Sequence, residues 1–125
     1  MCQMNEIKRR RISKEERIQI YDKCNHRCGY CGCDLEYKDM QVDHAKSLRC
    51  GGADELSNML PACRSCNHYK ATLGVEKFRR YIEGIPRRLN RDSIPFAVGK
   101  RFGMVEDHQK HVVFLFEELG IEVGE

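Results

Sequence analysis

The sequence lacks any uninterrupted hydrophobic run near the ~20 residues that a membrane-spanning helix needs. It also lacks an apolar stretch after the basic cluster that ends the opening segment MCQMNEIKRRR, which is unlike a secretory signal. Internal repeats and low-complexity tracts are missing as well. These absences exclude a repeat architecture, and we expect a globular protein without membrane contact in a reducing cytoplasm.

The length of 125 residues is that of one domain, and we predict a single domain over residues 1–125. A domain of this size buries only about two thirds of its unfolded surface, so a cross-link or a metal would help to stabilise it. Eight cysteines are available for that purpose. In a reducing compartment they favour metal ligation, with disulfides as the less favoured alternative.

Half of the cysteines form two C-x2-C pairs that are separated by 31 residues. These cysteines are Cys28, Cys31, Cys63 and Cys66. Four thiolates hold Zn²⁺ tetrahedrally, and each C-x2-C pair supplies two adjacent corners. Because such a site leaves no position for water, we predict a structural zinc site. Cys24 and Cys33 are close enough in sequence to compete, but their spacing is less regular, and we interpret them as spare thiols.

Polar residues that suit catalysis lie between and beside the two cysteine pairs. Asp43 and His44 end a predicted strand, MQVDHA, where neighbouring side chains diverge. Asn58 lies on a second extended segment, LSNMLPAC. Asn67 and Lys70 share one face of a predicted short helix, RSCNHYKATLG. We therefore expect the acid, the histidine and the two asparagines to converge on one cleft.

The segments CGYCG, VDHAKSLRCGGADELSNMLPAC and CRSCNHYK resemble the HNH endonuclease family, a ββα-metal nuclease motif with two zinc knuckles. The resemblance covers about residues 24–72. It is preceded by a predicted helix, which begins with a capping box formed by Ser13 and Glu16. It implies an α+β fold with a small zinc-stabilised ββα-metal (HNH) core, flanking helices and a C-terminal strand. It also suggests a bacterial or bacteriophage source.

The resemblance implies a role for each polar residue of this region. His44 matches the general base, and Asn58 matches the residue that fixes the loop and orients the histidine. Asp43 and Asn67 match the ligands of a catalytic metal, in an H-N-N variant whose last histidine is replaced by Asn67. A neutral amide oxygen suits Mg²⁺ or Mn²⁺. We prefer Asn67 to His68 because one step along a helix turns a side chain by about 100°.

These roles predict metal-dependent hydrolysis of DNA phosphodiester bonds. Neutral His44 would take a proton from water, and the divalent metal would offset the charge that develops on the phosphate. The family implies products with 5′-phosphate and 3′-hydroxyl ends. Two alternatives stay open at this point: a non-catalytic, zinc-stabilised DNA-binding module and a nuclease directed at RNA.

Charge is segregated along the chain. Residues 64–101 carry ten Lys/Arg and three Asp/Glu, a net charge of +7, whereas residues 102–125 have a net charge of −5. A basic block of this kind suits a polyanion, and its binding to DNA should weaken steeply with salt. The candidate DNA-binding residues in the block are Lys70, Lys77, Arg79, Arg80, Arg87 and Arg88.

The regions outside the core carry weaker predictions. We expect a basic arm over residues 1–12, and a basic helical region with a C-terminal strand over residues 75–125. Pro86 should kink a helix or separate two helices. The strand, from about Val112 to Phe116, would close a small sheet or pair with a second chain. The sequence therefore leaves open whether the chain forms a homodimer. It also leaves open whether the chain nicks DNA or cleaves both strands.

Overall fold

A computed structural model describes residues 9–123, and the described chain combines helices with a two-stranded antiparallel sheet. The predicted α+β class is confirmed. The helices are α1 (Lys14–Lys23), α2 (Arg64–Lys70), α3 (Val75–Glu83), α4 (Ile85–Asp92), α5 (Ile94–Arg101) and α6 (Leu115–Glu118), and the strands are β1 (Gln41–His44) and β2 (Met59–Ala62). Single 3₁₀ turns occur at Tyr37–Asp39, Leu48–Cys50 and Leu56–Asn58. None of the helices in the described range is long and apolar enough to cross a membrane.

The chain divides into two compact units. Among the described residues, the first consists of residues 9–75 and 113–123, and the second is Glu76–Val112. The single domain over residues 1–125 stays a prediction. Residues 1–8 of the predicted basic arm lie outside the described residues.

Helix α1 begins with the capping box that the sequence predicts. The Ser13 hydroxyl accepts from the Glu16 amide at 3.1 Å, and the Glu16 carboxylate accepts from the Ser13 amide at 3.0 Å. These bonds satisfy amide groups that the first helical turn leaves without partners. Further along, Ile20 is fully buried, and the Lys23 ammonium donates to the carbonyl oxygens of Leu56 and Met59 at 2.7 and 2.8 Å. Helix α1 is thereby joined to the start of β2.

The two predicted strands form an antiparallel hairpin. Asp43 pairs with Leu60, and His44 pairs with Met59. The side chains of Met59 and Leu60 are fully buried, so β2 supplies core while β1 carries polar residues. The carbonyl of Pro61 accepts from the Gly29 amide at 2.8 Å, which attaches the first cysteine knuckle to β2.

The prediction of a C-terminal strand over about Val112–Phe116 is wrong. Residues 111–114 have no regular secondary structure, and α6 begins directly after them. The aromatic side chains are buried, and the Phe116 amide donates to the carbonyl of Gly29 at 2.8 Å. The backbone amides here therefore donate hydrogen bonds to carbonyls of the first cysteine knuckle, and not to a neighbouring strand. A short apolar run predicts burial but does not by itself distinguish a strand from a helical turn.

Helices dominate the second unit. Pro86 lies in the first turn of α4, directly after α3 ends at Glu83, so the predicted separation into two helices is confirmed. Ser93 begins α5, where its hydroxyl accepts from the Phe96 amide at 3.2 Å. Helix α5 was not expected from the sequence.

Candidate functional site

The two cysteine pairs come together in the first unit. Their four sulfur atoms all lie within 4.8 Å of one another, and the Sγ atoms of Cys31 and Cys63 are 3.8 Å apart. A tetrahedral Zn²⁺ with Zn–S bonds of about 2.3 Å has sulfur–sulfur edges of about 3.8 Å. The donor set and its spacing therefore fit a structural Zn²⁺.

Local backbone geometry aims these sulfurs at one point. Gly32 has a φ of 79°, and its amide donates to the carbonyl of Cys28 at 3.0 Å, which closes the first knuckle. In the second knuckle the Cys63 sulfur caps α2 by accepting from the Cys66 amide at 3.4 Å. Hydrogen bonding from Cys66 and from knuckle amides lowers the pKa of the Cys28 thiol to about 4. The lowered pKa favours the thiolate, the form that binds metal.

Cys24 and Cys33 lie outside this cluster. Among the described residues, the group that could hold a metal contains only the four cysteines of the two pairs. Cys24 is fully buried, and burial raises the pKa of its thiol to about 11, so it stays protonated. Cys33 is exposed but adjoins the cluster, and burial together with the thiols of Cys31 and Cys63 raises the pKa of its own thiol to about 12. Both thiols therefore favour the protonated form, which agrees with the interpretation of these residues as spare thiols.

A cleft of about 530 Å³ lies beside β1 and α2 in the same unit. Asp43 and His44 line it from β1, and Asn67 and His68 line it from α2. The structure therefore brings together the predicted base and both predicted metal ligands. Cys66 precedes Asn67 directly, so the cysteine cluster fixes the helix that carries one side of the cleft.

Asp43 has a buried carboxylate, and one of its two oxygens contacts neighbouring side chains. Its Oδ2 accepts from the Tyr30 hydroxyl at 2.5 Å and lies 3.1 Å from the Lys70 ammonium. Burial raises the pKa of Asp43, while Lys70 and Tyr30 act against that rise. Within the described part of the chain, no hydrogen bond joins Oδ1 to another residue. Every fully buried side-chain oxygen there has a hydrogen-bond partner, so Oδ1 is not among the fully buried atoms. Since Asp43 lines the cleft, Oδ1 is the carboxylate oxygen left for a cation there.

His44 has a carboxylate partner that the sequence did not reveal. Its Nε2 lies 2.9 Å from Oδ1 of Asp54, ten residues further along the chain. The histidine is largely buried, with 6% of its surface exposed. Burial works to raise the pKa of Asp54, but hydrogen bonds from the Arg10 amide and from His44 outweigh it, and the pKa is lowered. Asp54 is consequently ionised at neutral pH.

Asn58 does not line the cleft but closes the loop behind it. Its fully buried side chain accepts from the Lys46 amide at 3.0 Å and donates to the carbonyls of Lys46 and Ala53, both at 2.8 Å. Gly52 lies in this loop, where an added Cβ would be 1.9 Å from the Lys46 carbonyl oxygen. The loop that carries Asp54 is thereby fixed at both ends. These contacts hold the loop in the way expected for Asn58, and its role in orienting the histidine for catalysis stays a prediction.

The predicted phosphate contact by Lys70 does not fit the structure. Lys70 has no exposed surface, and its ammonium binds Asp43 and also donates to the carbonyl of His44 at 3.1 Å. A charge held in the interior in this way has no access to a DNA phosphate. The residue instead joins α2 to β1. Its place at the end of a basic helix gave no indication of burial.

Arg79 is the second correction among the predicted DNA-binding residues. It is 7% exposed, and its guanidinium donates to the carbonyl of Val112 at 2.6 Å and to the Glu76 carboxylate. Its position is therefore structural within the second unit. Arg88 is half-buried with its guanidinium 4.4 Å from the centre of the Tyr81 ring. The exposed residues of the predicted set are Lys77, Arg80 and Arg87.

Two arginines that sequence reasoning did not select line the cleft. These are Arg9 and Arg49, together with the hydroxyl-bearing Ser47 and Thr72. Arg49 lies in the 3₁₀ turn Leu48–Cys50, five residues after His44. Its position in the loop between the two strands could have indicated proximity to the base.

Two comparisons with known proteins agree with this geometry. Residues 28–72 match the family model described as HNH endonuclease, and this segment contains both cysteine pairs, the hairpin and α2. The Bacillus subtilis (strain 168) protein named "SPbeta prophage-derived putative HNH endonuclease YoqL" is 29% identical over 79 residues. The match covers 57% of this chain and 34% of that protein, so the chain spans about a third of the relative's length. The resemblance that the sequence indicated is confirmed over residues 28–72, and it points to a nuclease.

Proposed function

We propose, with the HNH endonuclease match over residues 28–72 as the premise, that this chain is a metal-dependent endonuclease that hydrolyses DNA phosphodiester bonds. The observation that carries the proposal is the convergence of His44, Asp43 and Asn67 on one cleft. An imidazole, a carboxylate and an amide oxygen supply a base and a pair of cation ligands. A protein that only binds DNA has no use for this combination.

The cleft fits a hard divalent cation. Asp43 would hold Mg²⁺ or Mn²⁺ through its accessible Oδ1, and Asn67 would hold it through a neutral amide oxygen. When bound, the cation offsets the negative charge that develops on the phosphate and on the departing oxygen. The Zn²⁺ proposed for the cysteine cluster has no vacant coordination position for water and keeps a structural role.

The chain's own residues perform the remaining steps. His44 accepts a proton from a water molecule, whose oxygen then forms a bond to phosphorus. The bond from phosphorus to the 3′ oxygen breaks with its electron pair, and that oxygen takes a proton from solvent. The products are a 5′-phosphate and a 3′-hydroxyl. Arg9 and Arg49 line the same cleft and suit two-point binding of phosphate oxygens.

The second unit would contribute sequence-independent contacts to the DNA backbone. Lys77, Arg80 and Arg87 are exposed within it, and Arg88 is half-buried. Cations of this kind neutralise phosphates and release counterions, which strengthens binding without reading bases.

Cleavage of a supercoiled plasmid tests the proposal. Zinc-loaded protein with Mg²⁺ or Mn²⁺ should yield nicked or linear DNA. His44→Ala should slow cleavage by about 10²–10⁴-fold because it removes the general base, while the zinc content stays unchanged. His108→Ala, an exposed histidine of the second unit, is the matched control and should cleave normally.

The outcomes also separate the alternatives. Plasmid that is bound but stays intact with each metal would refute the proposal in favour of the zinc-stabilised DNA-binding module. Faster cleavage of single-stranded RNA than of duplex DNA would favour the RNA nuclease. Comparing nicked with linear product over time distinguishes single-strand from double-strand cleavage, and sedimentation tests whether the chain forms a homodimer.

A further inference from the structure

We infer that Asp54 is a positioning residue for His44 and that Arg10 holds Asp54 in place. The inference rests on the base role proposed for His44. Its structural basis is the 2.9 Å contact between Nε2 of His44 and Oδ1 of Asp54. Asp54 itself does not line the cleft, so it acts on the reaction through the histidine.

The contact fixes which nitrogen of His44 acts as the base. An ionised carboxylate only accepts hydrogen bonds, so Nε2 must carry the proton and Nδ1 the lone pair in the neutral ring. Among the described residues, no hydrogen bond joins Nδ1 to another group. Every fully buried side-chain nitrogen there has a hydrogen-bond partner, so Nδ1 is not among the fully buried atoms. Since His44 lines the cleft, Nδ1 is the ring nitrogen left for a water molecule there, and in this tautomer it carries the lone pair.

The same contact stabilises the charged histidine that the reaction forms. When Nδ1 takes a proton from water, the ring becomes an imidazolium whose Nε2–H stays on the ring and still points at Asp54. The carboxylate balances this charge without taking the proton. Asp54 thus helps in the transition state, where the positive charge appears, and not in the binding of DNA.

Asp54 is itself held by the segment that precedes α1. The Arg10 amide donates to Oδ2 of Asp54 at 2.6 Å, and Nε of Arg10 donates to the Asp54 carbonyl at 2.9 Å. The Arg10 guanidinium also binds the Glu16 carboxylate at 3.1 and 2.9 Å. Hydrogen bonds from Arg10 and from the Ser13 amide lower the pKa of Glu16 to about 2. A series of ionised groups therefore runs from the first turn of α1 to the base.

The loop does not need the contact between Asp54 and His44 to keep its shape. The three side-chain hydrogen bonds of Asn58 and the close packing at Gly52 already fix it. Asp54 keeps 22% of its side-chain surface exposed, so loss of its charge leaves no sealed, unpaired group. These facts favour a role in orienting the base over a role in folding.

Asp54→Asn tests the inference because an amide keeps the size but no longer dictates the tautomer. We expect kcat for plasmid cleavage to fall by about 10- to 100-fold with KM for DNA, zinc content and melting temperature unchanged. Nitrogen-15 NMR of the His44 ring without DNA should show the Nε2–H tautomer in the wild type and a mixture in the variant. Asp22→Asn is the matched control, since Asp22 makes a comparable 2.8 Å contact with His26 on the surface.

Variants of the basic segment test the second half of the inference. Arg10→Ala removes the guanidinium contacts to Asp54 and Glu16 but keeps the amide bond, so kcat should fall by a smaller factor of about 3 to 10. Arg11→Ala, in the exposed neighbouring residue, should leave kcat unchanged.

Three results would overturn the inference. They are unchanged kcat in Asp54→Asn, an Nδ1–H tautomer in the wild type, and a parallel loss of kcat, DNA affinity and melting temperature with the tautomer unaltered. Wild-type protein that fails to cut nucleic acid would refute the proposed function. Normal wild-type cleavage with a fully active Asp54→Asn variant would refute this inference alone.

Discussion

Lys70 and Asp43 are oppositely charged residues that are almost completely withdrawn from water. Taking two charges out of water is costly, and the cost is met here by hydrogen bonds from the Tyr30 hydroxyl to Asp43 and from Lys70 to the carbonyl of His44. The pair therefore determines where the predicted metal ligand points. The ion pair therefore contributes more to the position of the Asp43 carboxylate than to the net free energy of folding.

Lys70→Met should lower the free energy of unfolding by about 3–5 kcal/mol because it leaves the Asp43 carboxylate buried without its cation. Urea unfolding of the zinc-loaded protein measures the loss. Lys77→Met, which removes an exposed lysine from α3, should change the free energy of unfolding by less than about 0.5 kcal/mol. Equal effects of the two substitutions would contradict the buried pairing.

Gly52→Ala should lower both the stability of the protein and its rate of DNA cleavage. The new Cβ would lie 1.9 Å from the Lys46 carbonyl oxygen, so the loop that carries Asp54 must move. We expect a loss of about 1–3 kcal/mol in unfolding free energy together with slower cleavage. Gly74→Ala is the control, because a Cβ there meets nothing within 4 Å. A fully active and stable Gly52→Ala protein would show that the loop adapts.

At the scale of elements, the structure depends on two cysteine knuckles whose sulfur atoms meet in one cluster. The first is bonded to β2 through Gly29 and to the first turn of α6 through the carbonyls of Gly29 and Tyr30, and the second begins α2. Each element is short, and the sheet has two strands, an arrangement that is marginal in water without further support. The proposed zinc would supply that support.

Removal of zinc should therefore unfold the first unit. A strong chelator or Cys66→Ser should abolish stoichiometric zinc and reduce the helical circular dichroism, since metal binding and folding are coupled in sites of this kind. Cys33→Ser is the matched control, because it changes a thiol that adjoins Cys31 and Cys63 without being one of the four clustered cysteines, and the variant should retain zinc. A chelated protein that keeps its full circular dichroism would rule out a structural role for the metal.

Local patterns account for what the sequence predicted correctly among the elements. The capping box of Ser13, the hairpin strands and the break at Pro86 each depend on residues close together in the chain. The contact between His44 and Asp54, the burial of Lys70 and the helical turn of α6 depend on what the fold places next to them. Those features are set by tertiary packing, which residue spacing alone does not encode.

At the scale of the whole molecule, the basic residues of the second unit should govern affinity for DNA. Each phosphate that a cation neutralises contributes about 0.9 to the slope of log affinity against log salt concentration. The variant with Lys77, Arg80 and Arg87 all changed to alanine should bind duplex DNA more weakly, with a slope reduced by about 3. Fluorescence anisotropy at several salt concentrations measures both quantities.

Lys38→Ala provides the control for this experiment, since it removes an exposed lysine from the first unit. It should leave the slope unchanged within about 0.5. An unaltered slope in the triple variant would place the DNA-binding surface elsewhere on the chain.

The neutral pairing of Asp43 with Lys70 has a consequence for the order of events in catalysis. Because the ammonium cancels the carboxylate and Arg9 and Arg49 line the same cleft, a cation that enters alone should meet no net attraction, whereas a phosphodiester in the cleft adds the missing negative charge. Metal and nucleic acid should thus bind cooperatively, each raising the affinity of the other by the same factor. If the chain is the nuclease proposed above, the catalytic metal would bind weakly until a strand arrives, and hydrolysis would be limited to that encounter.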